Sequence, residues 1–334
     1  MNNTAQTRPQ AASAAPPTLD SRLEHFPVAL FSTVMGTAGL AIAWKKAHAV
    51  LGLPASVWQV VAAIASALFV LLAAIYAVKV ARHPAAVAAE RGHPVRVNFF
   101  PAISIGVLLL AIVWAEDAPV FAGALWAVGA AAHLGFTLMA MSSWIHHTHY
   151  DIKHANPAWF IPVVGNIIVP VVGVKFAPLE VSWFFFSIGL VFWLVLLTIV
   201  MYRLFFHEPL PVRLTPTLFI LLAPPSVGFI AYIGLTGELD GFGRVLYYTA
   251  LFLTLLLSTN AARFFRVPFF VSAWAYSFPL AAMTIATLVM YERTGLLFFA
   301  AIGSALLVVL SGIVAVLVVK TVQTARRGEL YVPE

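Results

Sequence analysis

The chain contains no cysteine. That excludes disulfides, thiolate metal centres and cysteine nucleophiles. Charge is scarce as well. Asp, Glu, Lys and Arg make up 10% of the residues, where an ordinary globular chain has about 25%. Acidic residues are the scarcer sign, 13 against 19 Lys and Arg, for a net charge of +6. No basic cluster is dense enough for nucleic acid, so no such partner is expected. Polar stretches long enough to build a soluble domain are also missing. That excludes a large soluble catalytic domain, a nucleotide-binding domain and a large receptor ectodomain.

What remains is apolar. Hydrophobic residues form 62% of the 334, and mean hydropathy is +0.95. A soluble fold could not bury that much apolar surface, so the chain is an integral membrane protein. Its long apolar runs do not alternate with polar residues, which argues for helices and against an outer-membrane barrel. Ten spans are expected, at about 26–44, 56–80, 98–115, 119–145, 157–174, 179–206, 215–235, 242–264, 267–290 and 295–319. The membrane domain therefore covers 26–320. Residues 1–25 read as a polar, disordered tail with no cleavable signal, and 321–334 as a second short tail. With this count, 14 Lys and Arg fall on the side of the N-terminal tail and five on the other. The positive-inside rule then puts both termini in the cytoplasm, in a bacterial-type inner membrane.

Proline divides the spans into two sets. Each odd span contains it, at Pro27, Pro101, Pro162 with Pro170, Pro224 with Pro225, and Pro279, and no even span has one in its interior. Those at 170, 224, 225 and 279 lie inside the spans, where each removes a backbone hydrogen bond and should bend its helix. A carbonyl freed in lipid needs a partner or a water-lined cavity. The chain thus reads as five tandem helical hairpins, each with one broken and one straight helix. The broken set is expected inside and the straight set against lipid and neighbouring subunits.

The odd spans also lack charge at mid-membrane. Their polar groups are small and neutral, including Ser32, Thr33, Thr37, Ser104, Asn166, Ser226, Ser277, Thr284 and Thr287. Ion-coupled carriers usually keep a buried ionisable group for coupling. The one mid-membrane candidate is His133, on an even span, where it is either a hydrogen-bonded packing residue or a proton relay. A conduit lined by hydroxyls and backbone would hold an ion weakly, as conduction requires. Without an acidic ring, the expected solute is a small anion or a neutral solute, with positive potential at the mouths favouring the anion.

Five segments carry a family resemblance: FPVALFSTVMGTAGLAIAW, VNFFPAISIG, PVVGNIIVPVVG, LLAPPSVGFIAY and FFVSAWAYSFPLAAMTIAT, one per odd span and in order. Together they resemble the slow anion channels of plant guard cells and the bacterial tellurite-resistance protein TehA. That tellurite-resistance/dicarboxylate transporter family also includes yeast malate permeases and fungal sulfite exporters. The resemblance implies ten helices in five hairpins around a quasi-fivefold central pore, and a homotrimer with one pore per subunit. It also implies that a phenylalanine before the proline of span nine plugs the pore, which falls on Phe278. Independently, a residue before proline is biased out of helical geometry, which would turn Phe278 aside at the break. Gly36, Gly39, Gly165 and Ser226 are small enough to leave room for the ring, or else to let helices pack closely. Asn166 either faces the lumen or caps its own broken helix. The short tails leave no room for a large regulatory domain, so kinase-driven gating is not expected.

The expected function is passive conduction of small inorganic or organic anions, without a cofactor and without enzyme activity. Two rivals stand beside it. One is a proton-coupled or facilitative exporter of an oxyanion or dicarboxylate such as tellurite, sulfite or malate. The other is a histidine-rich membrane metalloenzyme, suggested by His146, His147, His149 and His154 in one loop. The other histidines form no second box, so no metal site is expected.

Overall fold

The computed structural model of the protein describes residues 19–146 and 150–331. Helix is the only regular structure among the described residues, and ten segments are long and apolar enough to cross a membrane. They are α1 (Val28–Leu51), α2 (Ala55–Arg82), α3 (Arg96–Trp114), α4 (Pro119–His146) and α5 (Pro157–Phe176). The second half contributes α6 (Leu179–Phe206), α7 (Val212–Thr236), α8 (Gly241–Ser258), α9 (Val271–Thr294) and α10 (Leu297–Arg326). This is an all-α, multi-pass membrane protein.

Consecutive spans pack in pairs, α1 with α2 through α9 with α10. The turns within three of these pairs follow from glycine. Gly52, Gly237 and Gly295 end α1, α7 and α9 in the left-handed region, at φ 71°, 77° and 69°. Glycine enters that region without a Cβ clash, which stops the helix and reverses the chain. The odd spans also touch one another in sequence: α1 on α3, α3 on α5, α5 on α7, α7 on α9, and α9 back on α1. Burial follows the same division. Of each odd span's most apolar stretch 67–89% is buried, and of each even span's only 22–33%. The even spans turn residues such as Val70, Val191, Phe252 and Val308 outward, as lipid contact allows.

The prolines do something different from bending α-helices. Each odd span begins as a tighter 3-10 helix and becomes α-helical further along. The 3-10 pieces are Val28–Leu30, Arg96–Phe99, Val212–Leu222 and Val271–Tyr276 at the starts of α1, α3, α7 and α9. In α5 there are two, Pro157–Trp159 and Gly165–Ile168. Pro101, Pro170 and the Pro224–Pro225 pair fall at the first positions of the α-helices that follow, and Pro279 in the first turn of Ser277–Thr294. There a missing N–H costs nothing, because the first N–H groups of an α-helix lack an intrahelical acceptor anyway.

Several boundaries differ from the sequence reading. α1 continues past Trp44 to Leu51, and α10 runs to Arg326, into the stretch read as the C-terminal tail. α8 stops at Ser258, short of 264. The Thr259 hydroxyl and the Asn260 amide both donate to the Leu256 carbonyl, competing with the backbone there. The stretch read as a disordered N-terminal tail holds a helix at Leu19–Glu24, and residues 1–18 lie outside the described residues. The two ends of the described residues meet on one face, where the Phe26 and Tyr331 rings stack 6.2 Å apart.

Candidate functional site

All five odd spans contribute to one cavity of about 70 Å3. α1 supplies Ser32 and Met35, and α3 supplies Phe99 and Ile105. α5 gives Phe160, Val164, Gly165 and Ile168 among others, and α7 gives Ile220, Ala223, Pro224 and Val227. From α9 come Ser272, Trp274, Ala275, Phe278 and Pro279. The lining residues, all from the described residues, include no charged side chain and no histidine. A cavity of this size holds a few water-sized particles.

Phe278 stands half-buried in the cavity wall, in the first turn of the helix Ser277–Thr294. It is therefore inside helical geometry, and the turning-aside expected of a residue before proline does not occur. That restriction is a bias, and the helix starting at Ser277 overrides it. Gly39 on α1 faces it: a methyl built there would lie 3.4 Å from the Phe278 ring and 3.0 Å from Ala281. Gly36, one turn earlier, serves close packing, since a methyl there would overlap the Ser277 hydroxyl and come within 2.7 Å of Trp274.

The other sequence-selected residues divide between wall and packing. Ser32, Gly165, Pro224 and Pro279 line the cavity with Phe278. Thr33, Ser104, Asn166, Ser226, Ser277, Pro170 and Pro225 are buried outside its lining. The hydroxyls are already engaged. Ser32, Thr33 and Thr37 donate to the carbonyls of Ala29, Leu30 and Thr33. Ser104 donates to Pro101, Ser226 to Leu222 and Ser277 to Trp274. Thr284 and Thr287 donate to Leu280 and Met283. Each hydroxyl has one proton, so these groups offer no free donor to a passing anion. In place of the hydroxyl-and-backbone lining read from sequence, the cavity is lined mainly by apolar side chains.

The broken span α5 is held from behind by α4. Trp126 Nε1 donates to the Val169 carbonyl at 2.9 Å, just before Pro170, and the Thr137 hydroxyl is 2.7 Å from the Pro162 carbonyl. Asn166 donates to Thr137 Oγ1 at 2.8 Å and to the Val163 carbonyl at 2.7 Å, so it braces its own broken helix. His133 is fully buried, with Nδ1 2.9 Å from Ser104 Oγ. Its ring fills the space where a Gly165 methyl would sit, 2.6 Å away. The ring packs behind the cavity wall, and its Nε2 has no hydrogen-bond partner among the described residues. Trp126 and Thr137 were not singled out from sequence. The signal was present, because Trp126, Ala130, His133, Thr137 and Ala140 recur at helical spacing as the buried stripe of α4.

The far ends of the odd spans are joined by polar contacts. Lys175 at the end of α5 pairs with Glu116 at 3.5 Å, and Lys45 on α1 pairs with Glu116 at 3.6 Å and Asp117 at 2.6 Å. Lys46 on α1 pairs with Glu292 on α9 at 2.6 Å, and Arg293 donates to the Gly237 carbonyl after α7. Lysines on this face are thus neutralised locally, and the excess positive charge belongs to the face that carries the chain's ends. In the histidine-rich loop, His147 and His149 lie outside the described residues. His154 accepts from the Asp151 N–H, and no three His, Asp or Glu side chains gather into a metal-binding group among the described residues.

The fold and cavity define a membrane protein whose inner ring of spans surrounds a narrow apolar chamber with an aromatic ring in its wall. The family model "SLAC1: Voltage-dependent anion channel" matches residues 25–322, and the chain belongs to that family. The S-type anion channel SLAH3 of Arabidopsis thaliana is 31% identical over 280 residues, 80% of this chain and 43% of the plant protein. The tellurite resistance protein TehA homolog of Haemophilus influenzae is 26% identical over 310 residues, 91% of this chain and 92% of its own. An uncharacterised transporter of Methanocaldococcus jannaschii is 25% identical over 341 residues, 94% of this chain and 98% of its own. The chain spans less than half of SLAH3, so the likeness covers the plant protein only in part.

Proposed function

We propose that the protein is a passive anion channel whose pore runs between α1, α3, α5, α7 and α9 and is plugged by Phe278. The observation that carries this reading is the single cavity to which all five odd spans contribute, with Phe278 in its wall and no ionisable group in its lining. An aromatic ring in so narrow a passage obstructs it by volume and by dewetting. The space facing the ring at Gly39 gives it little freedom without movement of α1 or α9. Family membership supports anions as the solute. The excess of Lys and Arg on the face of the chain's ends supports cytoplasmic termini. The outward apolar surfaces of the even spans support a lipid-embedded protein, and family membership supports a homotrimer in an inner membrane.

Selectivity follows from the engaged hydroxyls. An ion entering the cavity sheds water and gains few direct hydrogen bonds in return, so the cost of dehydration decides which ion passes. Weakly hydrated monovalent anions such as thiocyanate, iodide and nitrate should permeate better than chloride. Sulfate and malate, doubly charged, should permeate least. The test is a series of reversal potentials on reconstituted protein under bi-ionic gradients. Sulfate or malate exceeding nitrate would contradict the reading. So would uphill anion accumulation driven by a proton gradient, which belongs to a coupled carrier.

A further inference from the structure

A second concavity opens on the outer surface and shares no lining residue with the cavity between the odd spans. Its volume is about 360 Å3. One wall is the short helix Pro84–Gly92 that follows α2, and the other is the late part of α4. Phe100, Phe136 and Met139 make it apolar, and Ser143 and Arg91 are its polar groups. Arg91 is exposed. Its guanidinium meets only the Met139 sulfur, at 3.7 Å, and no carboxylate among the described residues.

The cation is held on a fixed support. The neighbouring Glu90 points the opposite way and is buried, 2.9 Å from Lys79 Nζ and 2.8 Å from the Tyr76 hydroxyl. Lys79 also donates to the Phe26 carbonyl at 2.8 Å, and Glu90 accepts from the Val28 N–H. These contacts fasten the short helix to α2 and to the start of α1. Arg91 is thus presented outward from an anchored element.

Depth decides what the groove meets. α4 has 28 residues, about 42 Å of helix at 1.5 Å per residue, longer than the roughly 30 Å hydrocarbon core. Its last turns therefore reach headgroup level. Ser143 lies three residues before the helix end, and Phe136 two turns deeper. The groove has a cation at headgroup depth and an apolar floor at acyl depth.

We propose that this groove binds an anionic phospholipid, with its phosphate on Arg91 and one acyl chain along Phe136 and Met139. Charge complementarity favours this occupant, because an unpaired guanidinium beside an apolar floor matches a molecule that is anionic at one end and hydrocarbon at the other. The site is separate from the pore and does not depend on the conduction mechanism.

The test is native mass spectrometry on the detergent-purified full chain, titrated with dioleoyl phosphatidylglycerol, dioleoyl phosphatidylcholine and inorganic phosphate. Wild type should bind phosphatidylglycerol about five- to tenfold more tightly than phosphatidylcholine. Arg91→Gln should abolish that preference, and Arg91→Lys should keep part of it. Arg82→Gln removes a charge from the same face outside the groove and should leave the preference intact. Equal binding of the two lipids by wild type would overturn the proposal. So would an unchanged preference in Arg91→Gln, or an equal loss in Arg82→Gln. Displacement of the lipid by millimolar phosphate would overturn it in favour of a free anion. Lipid binding that appears only when the oligomer is dissociated would overturn it in favour of a second copy of the chain.

Discussion

The odd and even spans have similar apolar character and opposite construction. An even span is one unbroken α-helix that shows lipid most of its side chains. An odd span starts as 3-10 helix, turns α-helical further along, and hides most of its residues. The difference shows what a membrane permits. Irregular backbone survives at membrane depth only where other protein or a cavity covers it. α5, the most interrupted span, is also the most buried, at 89% of its apolar stretch. Its stray carbonyls are met by Trp126 and Thr137 from the straight helix behind it. The straight helices therefore serve as scaffold as well as lipid contact.

Four sets of substitutions sharpen or break this contrast. The largest effect belongs to the inner set: Phe278→Ala should raise anion current by roughly tenfold or more, since it removes the ring from a narrow passage. Planar-bilayer recording reads it. Next comes small-residue packing. Gly36→Leu drives a side chain into Ser277 and Trp274 and should cost about 3 kcal/mol, while Gly135→Leu on α4, with open space around it, should cost under about 0.5 kcal/mol. Thermal unfolding in detergent compares the two, and similar losses would erase the distinction between sets.

Smaller effects test the brace. Thr137→Val leaves the Pro162 carbonyl and the Asn166 side chain short of a partner and should cost roughly 1–3 kcal/mol. Amide exchange should then rise across 160–170. Thr198→Val on α6, whose hydroxyl bonds only its own helix, should change neither stability nor exchange. The smallest effect is electrostatic. Removing the whole pair, Lys46→Met with Glu292→Gln, leaves the local charge unchanged, so low-salt current should change by less than about twofold. Arg266→Gln, on the face of the chain's ends, should lower it more, and the difference should vanish in about 1 M salt.

Much of this was legible in the sequence because the membrane imposes simple rules. Span number followed from apolar length, and the inner set from proline positions and missing charge. Side-chain commitments were hidden. Ser104 and Ser226 look like lumen hydroxyls until their protons are found on Pro101 and Leu222. A proline pattern reads equally well as kinks or as first-turn positions, and the 3-10 segments ahead of Pro101, Pro170 and Pro224 decide for the second. Gly36 and Gly39 are indistinguishable in sequence, yet one packs a helix and the other faces Phe278. Arg91 carried no signal at all, because its groove forms only when the fold sets the Pro84–Gly92 helix across from α4.

The chain's lack of cysteine makes the most direct test clean. In a Phe278→Ala background, single cysteines would replace Ser32 and Val227, which line the cavity, and Val191 and Val308, which face outward on α6 and α10. A membrane-impermeant, negatively charged methanethiosulfonate reagent would then be applied during current recording. The account predicts rapid loss of current at 32 and 227 and none at 191 and 308. Inert cavity cysteines with reactive outward ones would contradict a path enclosed by the odd spans.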